Sequence, residues 1–182
     1  MPRITPIDPD TATGKAKELL DAVQAAFGMT PNMTRTMARN PAVLAGWFAL
    51  MSALGTTLSR GINEQIAIAV AEANECVYCL SGHTAFGRMV GVDDHELALS
   101  RAGESSDPKV AAALEFARAV NAKRGAVSDD DLARVRAAGW DDGDLAAIVA
   151  HVGLNVFTNY FNLVTRPVVD FPEITPGLAT AA

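Results

Sequence analysis

The chain has very little cysteine. Only two of its 182 residues are cysteines, Cys76 and Cys79, and both lie in one short stretch. No cysteine therefore remains for a structural disulfide elsewhere, which makes the reducing cytoplasm the default location. Any cysteine chemistry must come from that one stretch.

Positive charge is also in short supply. The chain carries 15 basic and 21 acidic side chains, for a net charge of −6, and has no basic run. This balance argues against a nucleic acid or an anionic membrane surface as a partner. Apolar residues make up 49% and charged residues 20% of the chain, which is typical of a globular protein and excludes a disordered one.

A long uninterrupted apolar run is missing as well. Residues 1–9 contain no apolar segment of the kind found in signal peptides, so we expect no secretion signal. Residues 41–58 and 145–165 are uncharged, but glycine, serine, threonine, histidine or asparagine residues interrupt them. A membrane span needs roughly 20 predominantly apolar residues. We therefore predict that both stretches are helices buried in a core or a subunit interface.

Strand-like alternation is absent, and apolar residues recur at helical spacing almost throughout. We predict a single all-α domain over residues 1–182, a bundle of roughly eight helices. Residues 1–12 are expected to form an N-terminal arm, and residues 173–182 a loose C-terminal tail. Ser59-Arg60-Gly61 is interpreted as a break, after which a helix begins at Asn63.

The two cysteines form a Cys-x-x-Cys motif that is followed four residues later by His83. In a helix from Cys76 to Val90, steps of three, four and seven residues place the three side chains on one face. Cys79 and His83 are then one turn apart, and a nearby imidazole can promote the thiolate form that is minor for an ordinary cysteine. We therefore predict Cys79 as the nucleophile and Cys76, at the helix start, as the exposed resolving thiol. Glu64 is the candidate for orienting His83.

Other residues near the motif have simpler interpretations. Tyr78, between the cysteines, is a candidate pocket residue that either packs or donates a hydrogen bond. His95 lies among acidic residues and is expected at the surface, whereas His151 is expected to be a core or interface histidine. Aromatic and methionine side chains at helical spacing are expected to be core residues: Trp47, Phe48, Met51, Phe157, Tyr160 and Phe161.

Two alternatives to a redox site follow from the same residues. Thiolate and imidazole groups suit zinc, although structural zinc sites usually draw cysteine pairs from two segments. The ligands of such a site would be Cys76, Cys79, His83 and Glu64. The second alternative is that the thiols are merely small core residues. A thioredoxin fold is excluded because no βαβ pattern surrounds the motif.

One family has the same four residues at the same spacing. The chain resembles the alkyl hydroperoxidase D-like branch of the carboxymuconolactone decarboxylase superfamily in Glu64, Cys76, Cys79 and His83. The resemblance covers about residues 30–171 and is closest to the members called peroxidase-related proteins. It implies an alkyl hydroperoxidase D-like helical bundle that assembles as a homo-oligomer, commonly a trimer or a hexamer.

The resemblance also implies an antioxidant thiol peroxidase that uses no metal and no haem. In such a protein Cys79 attacks a small-molecule hydroperoxide, Cys76 closes a disulfide, and an external dithiol or dithiol protein restores the pair. His83 and Glu64 are implied as the proton relay. The chain departs from the best-studied branch at Tyr78, where that branch has a second histidine, so the relay must be shorter or different.

Three further activities remain as alternatives. A protein-disulfide reductase or a redox-responsive adaptor would use the same dithiol without efficient peroxide turnover. Decarboxylase-like chemistry is the less expected activity, because that branch of the superfamily generally lacks the paired cysteines.

Overall fold

The computed structural model describes residues 1–177, and within that range it contains nine α-helices and no β-strand. The first five helices are α1 (Gly14–Phe27), α2 (Asn32–Met37), α3 (Pro41–Leu54), α4 (Arg60–Ala73) and α5 (Val77–Met89). The other four are α6 (Asp94–Ala102), α7 (Pro108–Ala122), α8 (Asp129–Ala137) and α9 (Asp142–Thr165). The prediction of an all-α fold is confirmed, with nine described helices rather than roughly eight.

The start of α4 differs from the prediction. The Ser59 hydroxyl accepts a hydrogen bond from the backbone N–H of Ile62 at 3.3 Å, so the helix begins at Arg60. The sequence predicts a break at this point and a helix that begins at Asn63. That boundary is wrong because a serine at the N-cap satisfies a free backbone donor and supports the additional turn.

Helix α9 (Asp142–Thr165) contains the whole uncharged stretch of residues 145–165 that was predicted to be helical. It begins in a capping box, in which the side chains of Asp141 and Asp144 each accept a backbone N–H of the other residue at 2.9 and 3.1 Å. Carboxylates in the first turn are also favoured by the helix dipole. These local interactions explain why the longest helix could be located from sequence.

Helix α4 occupies the centre of the molecule. All its residues from Gln65 to Glu72 are buried, and the helix contacts α5, α6, α7 and α9. Its small side chains, such as Ala67 and Ala69, allow neighbouring helices to approach closely. Residues at the ends of α4 are consequently held in fixed positions relative to α5 and α9.

Three apolar clusters fill the interior. The main apolar cluster lies between α4, α7, α8 and α9 and includes Leu114 and Ile148. A second cluster joins α1, α2 and α3 to α9 and includes Leu20. The third lies between α4, α5 and α6 and contains both Cys76 and Cys79. The cysteine motif is therefore part of the packed interior.

Both ends of the described chain are bonded to the helices. The backbone N–H of Arg3, in the predicted N-terminal arm, donates to the carbonyl oxygen of Thr165 at 2.8 Å. Near the other end, the backbone N–H of Ile174 donates to the Ser81 hydroxyl at 2.9 Å. The tail that was expected to be loose is thus bonded where it begins, and residues 178–182 of that tail lie outside the described residues.

Within residues 1–177, one helix is long and apolar enough to cross a membrane by length and composition alone. This helix is α9, with a mean hydropathy of 1.2 in its most apolar stretch, half of which is buried inside the fold. Core helices of soluble proteins meet the same criteria. The packing of α9 against α3, α4, α5 and α7 agrees with the predicted core or interface helix.

Candidate active site

The turn between α4 and α5 positions the cysteine motif. Glu75 adopts a left-handed backbone conformation with φ of 55°, which is uncommon for a residue other than glycine. The backbone N–H groups of Glu75 and Cys76 donate to the carbonyl oxygens of Glu72 and Ala71 at 3.1 and 3.0 Å. The chain therefore reverses within a few residues, and α5 returns along α4.

Cys76 and Cys79 form a disulfide at the start of α5, with Cα atoms 5.4 Å apart. Cys76 is the N-cap residue, since its sulfur also accepts the backbone N–H of Cys79 at 3.3 Å. Cys76 is 1% exposed and Cys79 is 4% exposed. The prediction that Cys76 is the exposed thiol is wrong, because the cysteines pack into an apolar cluster with α4, α6 and Ile174.

His83 and Glu64 form a pair next to the cysteines. The Nδ1 atom of His83 lies 2.7 Å from Oε2 of Glu64, a contact that joins α5 to the first turns of α4. The two side chains are 28% and 21% exposed, so the pair is accessible while the sulfur atoms are not. With Nδ1 donating to the carboxylate, Nε2 is the ring nitrogen that can exchange a proton. The antiparallel arrangement of α4 and α5 thus supplies the contact that sequence spacing could not establish.

Asn162 also contacts the cysteine pair. This residue of α9 is 3% exposed, and its Nδ2 lies 3.2 Å from the Cys79 sulfur and 3.2 Å from the Met33 sulfur. The sequence analysis did not identify Asn162. A signal was available, however, because the uncharged last helix places Asn155, Asn159 and Asn162 at helical spacing.

Tyr78 anchors a small polar network rather than lining a pocket. Its hydroxyl donates to Oδ2 of Asp170 at 2.5 Å and accepts the backbone N–H of Met33 at 3.0 Å. Asn32 donates to the same carboxylate from its backbone N–H at 3.0 Å and from Nδ2 at 2.7 Å. Burial, together with the hydrogen bond to Asp170, raises the pKa of Tyr78 well above its usual value of 10.0. The phenol therefore stays neutral and bonded to Asp170.

The segment after α9 covers the motif helix. The ring of Phe171 packs over Gly82, where an added Cβ would lie in ordinary van der Waals contact at 3.6 Å. The carboxylate of Glu72, 2% exposed, accepts from Nε of Arg101 at 2.7 Å and from the backbone N–H of Gly177 at 2.6 Å. Together with the bonds of Asp170 and Ile174, these contacts hold the segment across the start of α5.

The two other histidines lie at different depths. His95 is exposed, as predicted. His151 is 5% exposed, and its Nε2 lies 3.2 Å from the Thr57 hydroxyl. Burial lowers the pKa of His151, and the charges of Glu64 and His83 also act on it. His151 is therefore a buried, neutral histidine close to the Glu64–His83 pair, in agreement with a core position.

Residues 41–122, which contain Glu64 and the whole cysteine motif, match the carboxymuconolactone decarboxylase family. The chain is similar to this family over the segment that carries the motif. The matched range is narrower than the span of residues 30–171 over which the sequence resembles the family. No match to a curated protein was found.

Solved structures resemble the chain over nearly its whole length. The AhpD-core peroxidase-related protein from Ralstonia eutropha JMP134 is 23% identical, with 93% of this chain and 92% of that chain covered and a TM-score of 0.83. A peroxidase-related protein from Silicibacter sp. TM1040 is 24% identical, with coverages of 91% and 92% and a TM-score of 0.78. The debrominase Bmp8, bound to 2,3,4-tribromopyrrole, is 17% identical, with coverages of 92% and 91% and a TM-score of 0.78. These likenesses show that the chain has the AhpD-like fold.

The zinc alternative has no ligand set among the residues that the structure describes. Among residues 1–177, no three His, Cys, Asp or Glu side chains converge as metal ligands do. The sulfur atoms of Cys76 and Cys79 are bonded to each other, and His83 is bonded to Glu64. The four residues thus form two bonded pairs, Cys76 with Cys79 and His83 with Glu64.

Proposed function

We propose that the protein is an antioxidant thiol peroxidase, an oxidoreductase that acts on hydroperoxides through the Cys76–Cys79 dithiol. The observation that supports this most is that the disulfide-forming pair lies at the start of α5, one turn from His83, and that Glu64 of α4 contacts the His83 imidazole. A dithiol supplies two electrons, and a carboxylate-oriented imidazole supplies and removes protons. Reduction of a hydroperoxide requires both.

The reaction begins when the Cys79 thiolate attacks the terminal oxygen of the hydroperoxide. The O–O bond breaks, the alcohol leaves with a proton from His83, and Cys79 becomes a sulfenic acid. The thiol of Cys76 then attacks the Cys79 sulfur, water leaves, and the disulfide forms. Glu64 holds His83 in the tautomer that presents Nε2 to these proton transfers.

The cycle closes when an external dithiol, free or in a protein, reduces the disulfide by thiol–disulfide exchange. A reductant cannot reach sulfur atoms that are 1% and 4% exposed, so recycling requires a local opening at the start of α5. We place this cycle in the cytoplasm, where dithiol reductants are maintained.

Thiol titration tests the proposal. The protein is fully reduced, freed of reductant, and titrated before and after one equivalent of an organic hydroperoxide. We expect the loss of two thiols per chain within seconds and their recovery on addition of a dithiol. Two thiols that stay free after the peroxide would contradict peroxidase activity.

A protein-disulfide reductase or redox adaptor is the second candidate, and Tyr78 is the observation that favours it. The phenol is bonded to Asp170 and stays neutral, so it does not replace a histidine as a proton donor. The thiol titration separates the two functions. A reductase would leave peroxide unconsumed but would reduce a disulfide-linked peptide with loss of the same two thiols.

We also propose that the protein acts as a homo-oligomer that associates through α9. Its outward side exposes large apolar side chains, with Phe157 41%, Tyr160 58% and Val164 62% exposed. The prediction that Phe157 and Tyr160 are core residues is therefore wrong. A contiguous apolar surface of this kind is typical of an interface. Light scattering should give a multiple of the chain mass, and Tyr160→Glu should shift the protein toward the monomer. A monomeric unmodified protein would contradict this assembly.

A further inference from the structure

We propose that Asn162 is a further catalytic residue of the dithiol site, because its side-chain amide donates a hydrogen bond to the Cys79 sulfur and stabilises the thiolate. The inference rests on the proposed function in one respect, namely that Cys79 reacts as a thiolate. It adds a residue from α9, a helix that lies outside the matched family range of residues 41–122.

The first argument is the hydrogen bonding of Asn162 itself. Its Nδ2 lies 3.2 Å from both the Cys79 and the Met33 sulfur atoms. Neutral sulfur is a weak acceptor. The Oδ1 atom is buried and has no hydrogen-bond partner among residues 1–177. A buried amide with two weak acceptors and an unpaired carbonyl lowers stability relative to an apolar side chain of similar size, so structural support alone does not explain it.

The second argument is the change that reduction makes at Cys79. In the disulfide the sulfur is neutral, whereas in the reduced site it carries a negative charge when it attacks. A buried anion needs hydrogen-bond donors, and a bond from an amide to a charged acceptor is markedly stronger than one to a neutral atom. Asn162 reaches this sulfur from α9, whereas His83 lies one turn further along α5 and is bonded to Glu64.

The third argument is that the amide does not titrate. The other ionisable groups near Cys79 are His83 and Tyr78 on α5, Glu64 on α4 and Asp170 after α9. A proton-exchanging histidine is charged for only part of the cycle, whereas Asn162 donates throughout. The geometry therefore separates stabilisation of the thiolate from proton transfer.

The test uses the full chain with Cys76→Ser, which leaves Cys79 as the single thiol and keeps a capping oxygen at the helix start. In this background, the absorbance of the thiolate near 240 nm is measured against pH for Asn162→Leu. The matched control is Asn155→Leu. Asn155 is also buried on α9, but its amide donates to the His151 carbonyl oxygen at 2.9 Å and not to sulfur.

We expect Asn162→Leu to lower the thiolate fraction at neutral pH by about tenfold, since one hydrogen bond to a charged sulfur is lost. The melting temperature should not fall, because leucine removes an unpaired carbonyl from an apolar site. Asn155→Leu should leave the thiolate titration unchanged. Asn162→Ala provides the same comparison if the leucine variant does not fold.

An unchanged thiolate titration in Asn162→Leu, or in Asn162→Ala, would overturn the inference, and so would an equal shift in Asn155→Leu. This readout needs no peroxide. If the unmodified protein fails to consume peroxide but Asn162→Leu still shifts the titration, the proposed peroxidase function falls and the role of Asn162 stands.

Discussion

Both halves of α9 bury one side of the helix, but the first half buries mainly apolar side chains and the second half buries polar ones. The first half packs Leu145, Ile148 and Val152 into the main apolar cluster with α4, α7 and α8. The second half buries polar side chains on its inner face: Asn155, Thr158, Asn159, Asn162 and Thr165. The two halves therefore differ in the polarity of their buried side chains and not in the extent of burial.

Burial of polar groups costs free energy unless each one finds a partner. Part of the polar half meets this requirement, since Nδ2 of Asn74 donates to Oδ1 of Asn159 at 2.9 Å. Two polar atoms of this half lack a partner: Nδ2 of Asn159 and Oδ1 of Asn162 form no hydrogen bond among residues 1–177. The buried apolar side chains of the first half stabilise the fold. In the second half, the buried amide of Asn162 is proposed to stabilise the negative charge of the Cys79 thiolate. Four predictions test this division.

The largest effect is expected from the cysteines. Cys79→Ser should abolish peroxide turnover, because the attacking sulfur is gone. Cys76→Ser should permit one stoichiometric oxidation, which stops at the sulfenic acid of Cys79 because no resolving thiol remains. Peroxide consumption per chain and mass spectrometry of the product distinguish the two variants. Equal loss with no oxidation in either one would contradict this division of roles.

The next effect tests the apolar half. Ile148→Ala removes a fully buried side chain from the main apolar cluster, and we expect it to lower the free energy of unfolding by about 2–5 kcal/mol. The matched control is Glu115→Ala on α7, an exposed position where the change should be within about 0.5 kcal/mol. Urea unfolding measures both. A large loss of peroxide turnover in folded Ile148→Ala would mean that the two halves of α9 are not separable.

The third effect tests the proton exchange. His83→Gln should slow peroxide turnover by roughly a hundredfold, because the general acid and base is lost. Little stability should be lost, since His83 is 28% exposed. Steady-state rates are compared with those of His95→Gln, a substitution at an exposed histidine away from the site. Turnover that matches the control would exclude His83 from the reaction.

The smallest effect is expected at His151. Because burial lowers the pKa of His151 below its usual value of 6.5, the unfolded chain takes up a proton before the folded chain does. The resulting stability is complete above about pH 6.5 and is lost as the pH falls below that value. The melting temperature should therefore fall less between pH 7 and pH 5 in His151→Gln than in the unmodified protein.

Titration of Asp131 does not contribute to the change in melting temperature between pH 7 and pH 5. Its hydrogen bond with Lys123 holds the pKa of the Asp131 carboxyl below its usual value of 3.8. A carboxyl with a lowered pKa contributes stability that is lost only at more acid pH. Identical pH dependence in His151→Gln and the unmodified protein would show that His151 is not the group that titrates between pH 5 and pH 7.

Much of the fold and part of the site follow from local sequence. Helix α9 was predicted from the uncharged stretch of residues 145–165, and proline follows its end. The shared face of Cys76, Cys79 and His83 follows from helical periodicity. The resemblance to the carboxymuconolactone decarboxylase family rested on the same spacing plus Glu64. The start of α4 was missed because a single serine cap outweighed the apparent break.

Long-range contacts were decided by tertiary structure alone. Asn162 is 83 residues from Cys79 in sequence, and Asp170 is 92 residues from Tyr78. Neither pairing has a local signature, because each depends on how α9 and the segment after it pack across α5. The burial of Cys76 has the same cause, since the side chains around it come from α4, α6 and Ile174. Spacing along one helix is set by backbone geometry, whereas the contents of a site between helices depend on the packing of the whole chain.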